Sequence, residues 1–142
     1  MKKIVLLVCF QILGCRSTGE NSTPKEGIQP EPEVPDLSEY VGCYEAASEG
    51  MISAGVEVAN DADRVCIENN SYDQLSFVFE KAKAAKEDGK FLVTYAETCG
   101  EDCIQMEEGT LIVQLTIESS DETKLSVSDS SGQTRYMLTR AN

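Results

Sequence analysis

From Thr110 to Ser119 the chain alternates two sets of side chains: Leu111, Val113, Leu115 and Ile117 on one side, Ile112, Gln114, Thr116 and Glu118 on the other. A period of two sends these sets to opposite faces of an extended strand. Two more such runs follow at once, Lys124 to Asp129 with Leu125 and Val127, and Arg135 to Arg140 with Tyr136 and Leu138. Ser120-Asp121-Glu122 and Ser130-Ser131-Gly132-Gln133 separate them, and both are turn-forming compositions. Three consecutive antiparallel strands with one apolar face cannot stand alone, because that face must be covered by another layer or by closure of the sheet.

Weaker alternation recurs upstream at Tyr40 to Ala47, Ala54 to Ala59, Arg64 to Glu68 and Lys90 to Thr98, with turn chemistry every 8 to 12 residues. The predicted fold class is mainly β, an antiparallel meander closing into a small β-barrel or sandwich. Residues 72–88 fit two patterns. Ser71 and Gln74 stand in capping-box register, Leu75, Val78, Phe79, Ala82 and Ala85 have helical spacing, and Gly89 is placed as a stop. Leu75, Phe77 and Phe79 also alternate as a strand does, and Glu87-Asp88-Gly89 suits a hairpin. A strand over about 75–82 is favoured, since one helix would interrupt a meander; the helix near 72–88 stays open.

All four prolines, Pro24, Pro30, Pro32 and Pro35, fall in a stretch from Arg16 to Asp36 that is otherwise Ser, Thr, Gly, Asn and Glu. Such a composition buries no core. At about 3.1 Å per residue a polyproline-like segment of about 20 residues reaches roughly 60 Å. The expected organisation is a leader at 1–14, a disordered tether at 15–36 and a β domain at 37–142.

The leader is read from Lys2-Lys3, the apolar run Ile4 to Leu13, and Gly14-Cys15. A positive n-region, a short apolar h-region and a small residue before a cleavage point make a secretory signal, and a run this short does not span a bilayer. Ile12-Leu13-Gly14-Cys15 resembles the lipobox of bacterial lipoproteins. That resemblance covers only these first residues. It implies cleavage before Cys15, a diacylglyceryl thioether on its sulfur and an acyl chain, such as palmitate, on the freed amine, hence a stable membrane anchor through two or more chains. Arg16 stands where the family's inner-membrane retention signal has Asp, which implies an outer-membrane destination in the bacterial cell envelope.

Loss of Lys2 and Lys3 with the leader moves the formal charge from −13 to −15, set by 12 Lys and Arg against 25 Asp and Glu. An acidic molecule repels phosphate backbones and anionic headgroups over a Debye length of about 8 Å, so nucleic acid is excluded as a partner and any membrane binding falls to lipid on Cys15. A basic protein would be attracted. Cys9 leaves with the leader and Cys15 takes lipid. Cys43, Cys66, Cys99 and Cys103 remain, and in an oxidising compartment they suggest two disulfides. Of three connectivities, Cys43–Cys66 with Cys99–Cys103 is favoured, because Cys99-Gly100-Glu101-Asp102-Cys103 is short enough to clip a turn. A four-thiolate zinc site is the rival, but its usual spacing is paired Cys-x2-Cys.

Catalytic chemistry has little to work with. The chain has no histidine, which removes His-based triads and the commonest general base, and oxidised cysteines offer no thiolate. Carboxylate pairs at Glu107-Glu108, Asp121-Glu122 and Asp61-x-Asp63 fall in expected turns, where solvated acids are the default. Asn60-Asp61-Ala62-Asp63 has calcium-like alternation of oxygen ligands, yet lacks the glycine and distal glutamate of an EF-hand. The expectation is a non-enzyme with no cofactor and no metal.

Two further resemblances bear on the domain. Leu37-x-x-Tyr40-Val41-Gly42-Cys43-Tyr44 resembles the Gly-x-Trp opening of lipocalin-type barrels with tyrosine replacing tryptophan, which implies that Arg140 packs on Tyr44 and allows an alternative function, carriage of a small apolar ligand. Ser131-Gly132-Gln133-Thr134-Arg135-Tyr136 is similar to the Ser-Gly-x-x-Tyr loop of acidic β-barrel lipoproteins that inhibit lysozymes, with the tyrosine one residue later. It implies binding residues Ser131, Gly132 and Tyr136 and inhibition of a basic cell-wall hydrolase. The leading expectation is therefore recognition of an envelope or extracellular protein; a purely structural surface lipoprotein is the third alternative.

Overall fold

A computed structural model describes Gly27 and residues 33–81 and 89–141. The chain divides into two units, Met1–Glu31 and Pro32–Asn142. The leader, Cys15 and most of the expected tether lie outside the described residues, as do 82–88. Within the second unit Val34 packs against the core and Asp36 caps a 3-10 turn, Leu37–Tyr40, its carboxylate accepting from the Ser38 amide at 2.9 Å. Packed structure thus begins by Val34, three positions before the boundary expected from composition.

Eight antiparallel strands follow: β1 Gly42–Ser53, β2 Arg64–Ser71, β3 Gln74–Glu80, β4 Gly89–Gly100, β5 Cys103–Glu108, β6 Leu111–Ile117, β7 Glu122–Asp129 and β8 Gly132–Arg140. Each pairs with its neighbour in sequence, and β1 pairs with β8 from Tyr44↔Arg140 to Ser53↔Gly132, so the meander closes into a barrel. Closure removes the sheet edges that a sandwich leaves exposed. Period 2 drives the packing. Ile104, Leu115, Leu125 and Tyr136 form one inward row across β5–β8, and Met106, Val113, Val127 and Thr134 the next. Phe91 stacks on both Phe77 and Phe79, with ring centroids 5.4 Å apart in each pair. Leu75, Phe77, Phe79, Val93, Met106, Val113, Leu115, Leu125, Val127, Tyr136 and Leu138 are all at 0 % exposure, so no water-sized space touches them.

The strand favoured over about 75–82 is found as β3, Gln74–Glu80: Leu75, Phe77 and Phe79 all point into the barrel, where β2 and β4 flank them. Two expectations are corrected. Ala54 to Ala59 is not a strand but a turn and a second 3-10 turn, Glu57–Ala59, because this segment folds over the barrel mouth and buries Val56, Ala59 and Ala62. Cys103–Glu108, whose Glu107-Glu108 had suggested a turn, is β5; only Ile104 and Met106 face inward, a signal two residues long.

Both disulfides are formed. Cys43 and Cys66 sit directly opposite in the β1–β2 ladder, and Cys99–Cys103 clips the β4–β5 turn.

Candidate functional site at the loop-covered rim

The two ends of the barrel differ. One carries the first 3-10 turn, the start of β1 and the end of β8. Tyr40 Oη lies near Glu39 and Asp102, and burial first, then these carboxylates, push its phenol up to about 12. Tyr44 Oη donates to Tyr40 O at 2.7 Å, and Arg140 donates to Glu39 O at 2.8 Å and to Tyr44 Oη at 3.2 Å. The Arg140 guanidinium carbon stands 5.6 Å from the Tyr44 ring centroid, a cation–π distance. This end is a structural clasp.

The opposite rim gathers the β1–β2 loop and the β7–β8 turn, and there the Asn60-to-Asp63 segment meets the Ser131-to-Tyr136 segment. Gly55, at φ +68°, opens the loop; a Cβ there would approach Asn60 Oδ1 to 2.5 Å and Thr134 Oγ1 to 2.9 Å. Thr134, buried on the inward face of β8, accepts from Val56 N–H at 2.9 Å and donates to Asn60 Oδ1 at 2.9 Å. Tyr136 Oη donates to Ala59 O at 2.6 Å and accepts from Ala62 N–H at 2.9 Å. Buried backbone groups left unpaired would each cost about 1–3 kcal/mol. These two side chains therefore fix the loop from below.

The binding assignments drawn from the lysozyme-inhibitor resemblance need correction at Tyr136. Its ring is fully buried, so it reaches no partner. Burial raises its phenol pKa, opposed by the Ala62 amide and aided by Asp61 and Asp63. Gly132 is required by close approach: a Cβ would collide with Ile52 O and lie 2.9 Å from Gly55 N. Ser131 is the outermost of the three. Its hydroxyl lies within reach of both Gly55 O, at 2.9 Å, and the Asp129 carboxylate, and donates to one at a time. Asp129 is held below the usual carboxylate range by the Ser131 hydroxyl and then by the Ser131 and Gly132 amides. Serine and glycine here satisfy a hairpin, and the tyrosine a loop.

What this rim offers outward is different. Met51 and Ile52 are each 51 % exposed and Val58 39 %. Exposed Glu57 and partly exposed Asp129 stand at the same end, on the β1–β2 loop and the last residue of β7. Met51 and Ile52 carried no direct signal, because β1 was expected to end near Ala47. Thr134 was discoverable, as a polar residue in the inward register of Tyr136 and Leu138. Among the described residues no group of three or more His, Cys, Asp or Glu is placed to hold a metal ion, and Asn60 Oδ1 is already engaged by Thr134.

No protein-family model matches the chain, and no curated protein matches it. Among solved structures it is similar to a redesigned β-barrel, at 19 % identity and a TM-score of 0.47, covering 74 % of this chain and 94 % of that one.

Proposed function

We propose that the protein is a lipid-anchored binding protein of the bacterial cell envelope, without catalytic activity, which recognises a partner protein bearing a basic surface. A small closed β-barrel is consistent with a binding or carrier role. The observation that carries the choice is the rim: a loop immobilised by Tyr136 and Thr134, presenting half-exposed Met51, Ile52 and Val58 among carboxylates. Rigid apolar tips in an acidic field suit a cationic partner, since the charges steer encounter and the apolar groups supply contact. A basic cell-wall hydrolase such as lysozyme is the sharpest version. The carrier alternative is less favoured, because Leu75, Phe77, Phe79, Met106, Leu115, Leu125, Tyr136 and Leu138 of the described core are fully buried against one another.

Anchoring rests on Lys2 to Cys15 alone. Globomycin should accumulate the uncleaved precursor, and mass spectrometry should find acyl chains on a product beginning at Cys15; unchanged processing would remove the anchor. Lysozyme assayed at low salt with micromolar full chain should lose activity in a saturable, salt-sensitive way. Undiminished activity would leave the hydrolase version without support, and a pulldown from envelope extract with Met51→Ser/Ile52→Ser as control would then test for other basic partners.

A further inference from the structure

Strands β1–β5 each carry a carboxylate that is at least partly exposed: Glu45, Glu68, Glu80, Glu97 and Glu107. The middle of the outward face of the next three strands differs. Gln114 and Thr116 on β6, Lys124, Ser126 and Ser128 on β7, and Gln133 and Arg135 on β8 make a mostly neutral polar patch on a chain of formal charge −13, with Glu122 at the start of β7 and Glu118, paired to Lys124 at 3.2 Å, at its edge. Register aligns it: Gln105, Gln114, Ser126 and Arg135 are direct cross-strand neighbours across four strands, a row of about 14 Å at ordinary strand spacing.

The patch is concave. Its strands line a cleft of about 310 Å³. The single carboxylate in the wall, Glu49, is the extra residue of a β1 bulge between Ser48 and Gly50, and bulges re-aim side chains in this way. The amides are oriented in advance. Gln133 donates to Ser126 Oγ at 2.6 Å while its carbonyl accepts from Arg135 Nε at 3.0 Å and Nη2 at 2.7 Å. Gln114 donates to Gln105 at 3.0 Å, so the Gln114 carbonyl serves as an acceptor on the cleft side.

The geometry points to a binding site for a neutral, hydroxyl-rich glycan chain in this cleft. Amides and hydroxyls that both donate and accept, with Glu49 as a carboxylate acceptor and with Arg135 and the Glu118-paired Lys124 beside them, match closely spaced sugar hydroxyls. The net acidity of the molecule disfavours polyanionic glycans, and Lys124 and Arg135 disfavour the basic partner proposed for the rim. With no aromatic ring in the lining, affinity is expected in the millimolar range. The site lies on the barrel wall and is independent of rim binding.

The test is an amide-shift NMR titration of the ¹⁵N-labelled full chain with chitohexaose and cellohexaose as neutral probes and hexagalacturonate as the acidic one. At least one neutral hexamer should shift amides of β6–β8 with a Kd of about 1 mM. Gln114→Ala/Gln133→Ala, two outward-facing changes, should weaken it at least about tenfold, whereas Met51→Ser/Ile52→Ser at the rim should leave it unchanged. The proposal is overturned by no shifts on β6–β8 at about 10 mM of either neutral probe, by preference for the acidic hexamer, or by shifts that survive the double glutamine variant.

Discussion

The phenol oxygen of Tyr136 accepts a hydrogen bond from the amide of Ala62 at 2.9 Å, across 74 positions of sequence. The same oxygen donates to Ala59 O at 2.6 Å. One side chain on β8 thereby sets the conformation of the loop that forms the proposed binding rim. Tyr136→Phe keeps the ring packing and removes both bonds. It should lower unfolding free energy by about 2–4 kcal/mol in urea titration, since two buried backbone groups lose partners at about 1–3 kcal/mol each. Hydrogen exchange should accelerate at 56–62 while β3–β6 stay protected.

Tyr40 provides a pH test. Its phenol is raised to about 12 by burial and by Glu39 and Asp102, while an unfolded tyrosine ionises near 10. Between these values the unfolded state has lost a proton that the folded state keeps, so folding weakens as pH rises. Stability should be unaffected by this group below pH about 10 and fall from there toward about 12, and Tyr40→Phe should flatten that decline. Spectrophotometric titration of the wild type against Tyr40→Phe should place the ionisation of this phenol well above 10.

Arg140 holds the opposite end together by stacking on Tyr44 and donating to Glu39 O. Arg140→Ala should cost about 1–2 kcal/mol, combining a partly exposed cation–π contact with one lost hydrogen bond. Arg140→Lys should recover less than half, since an ammonium lacks the flat fork that makes both contacts at once.

The disulfides should contribute unequally. Cys43–Cys66 spans 23 positions and Cys99–Cys103 spans 4. Chain-entropy estimates give about 3 kcal/mol for the first and about 2 kcal/mol for the second. Paired Cys→Ser variants compared by thermal unfolding should therefore rank with the Cys43/Cys66 pair as the more destabilised; the opposite order would show that the β4–β5 turn depends on its clip.

Gly132→Ala tests close packing at the rim. An added methyl meets Ile52 O, a backbone atom with no rotamer to escape into. Overpacking of this kind costs about 1–3 kcal/mol, and the β1–β8 closure at Ser53↔Gly132 should open first, visible as faster exchange at the ends of β1 and β8.

Local chemistry was enough to indicate an all-β meander, since side chains at Leu111 to Leu138 alternate with a period that only an extended chain uses, and turn residues punctuate them. It favoured the observed cysteine pairing among three, because Cys99 and Cys103 are near enough to clip one turn, but the register that sets Cys43 opposite Cys66 decided it. Where the alternation was two residues long, as at Ile104 and Met106, or shared with a helical spacing, as at Leu75 to Phe79, sequence could not decide; the flanking strands did, by offering ladder partners on both sides. Closure into a barrel, the inward fold of Val56 to Ala62, and the burial of Tyr136 are long-range events. They depend on β1 reaching β8, some 90 residues away, and no window of the chain contains both partners. For the same reason a tyrosine that looked like a contact residue in its own hairpin became the support of another loop, and only the tertiary structure decided which.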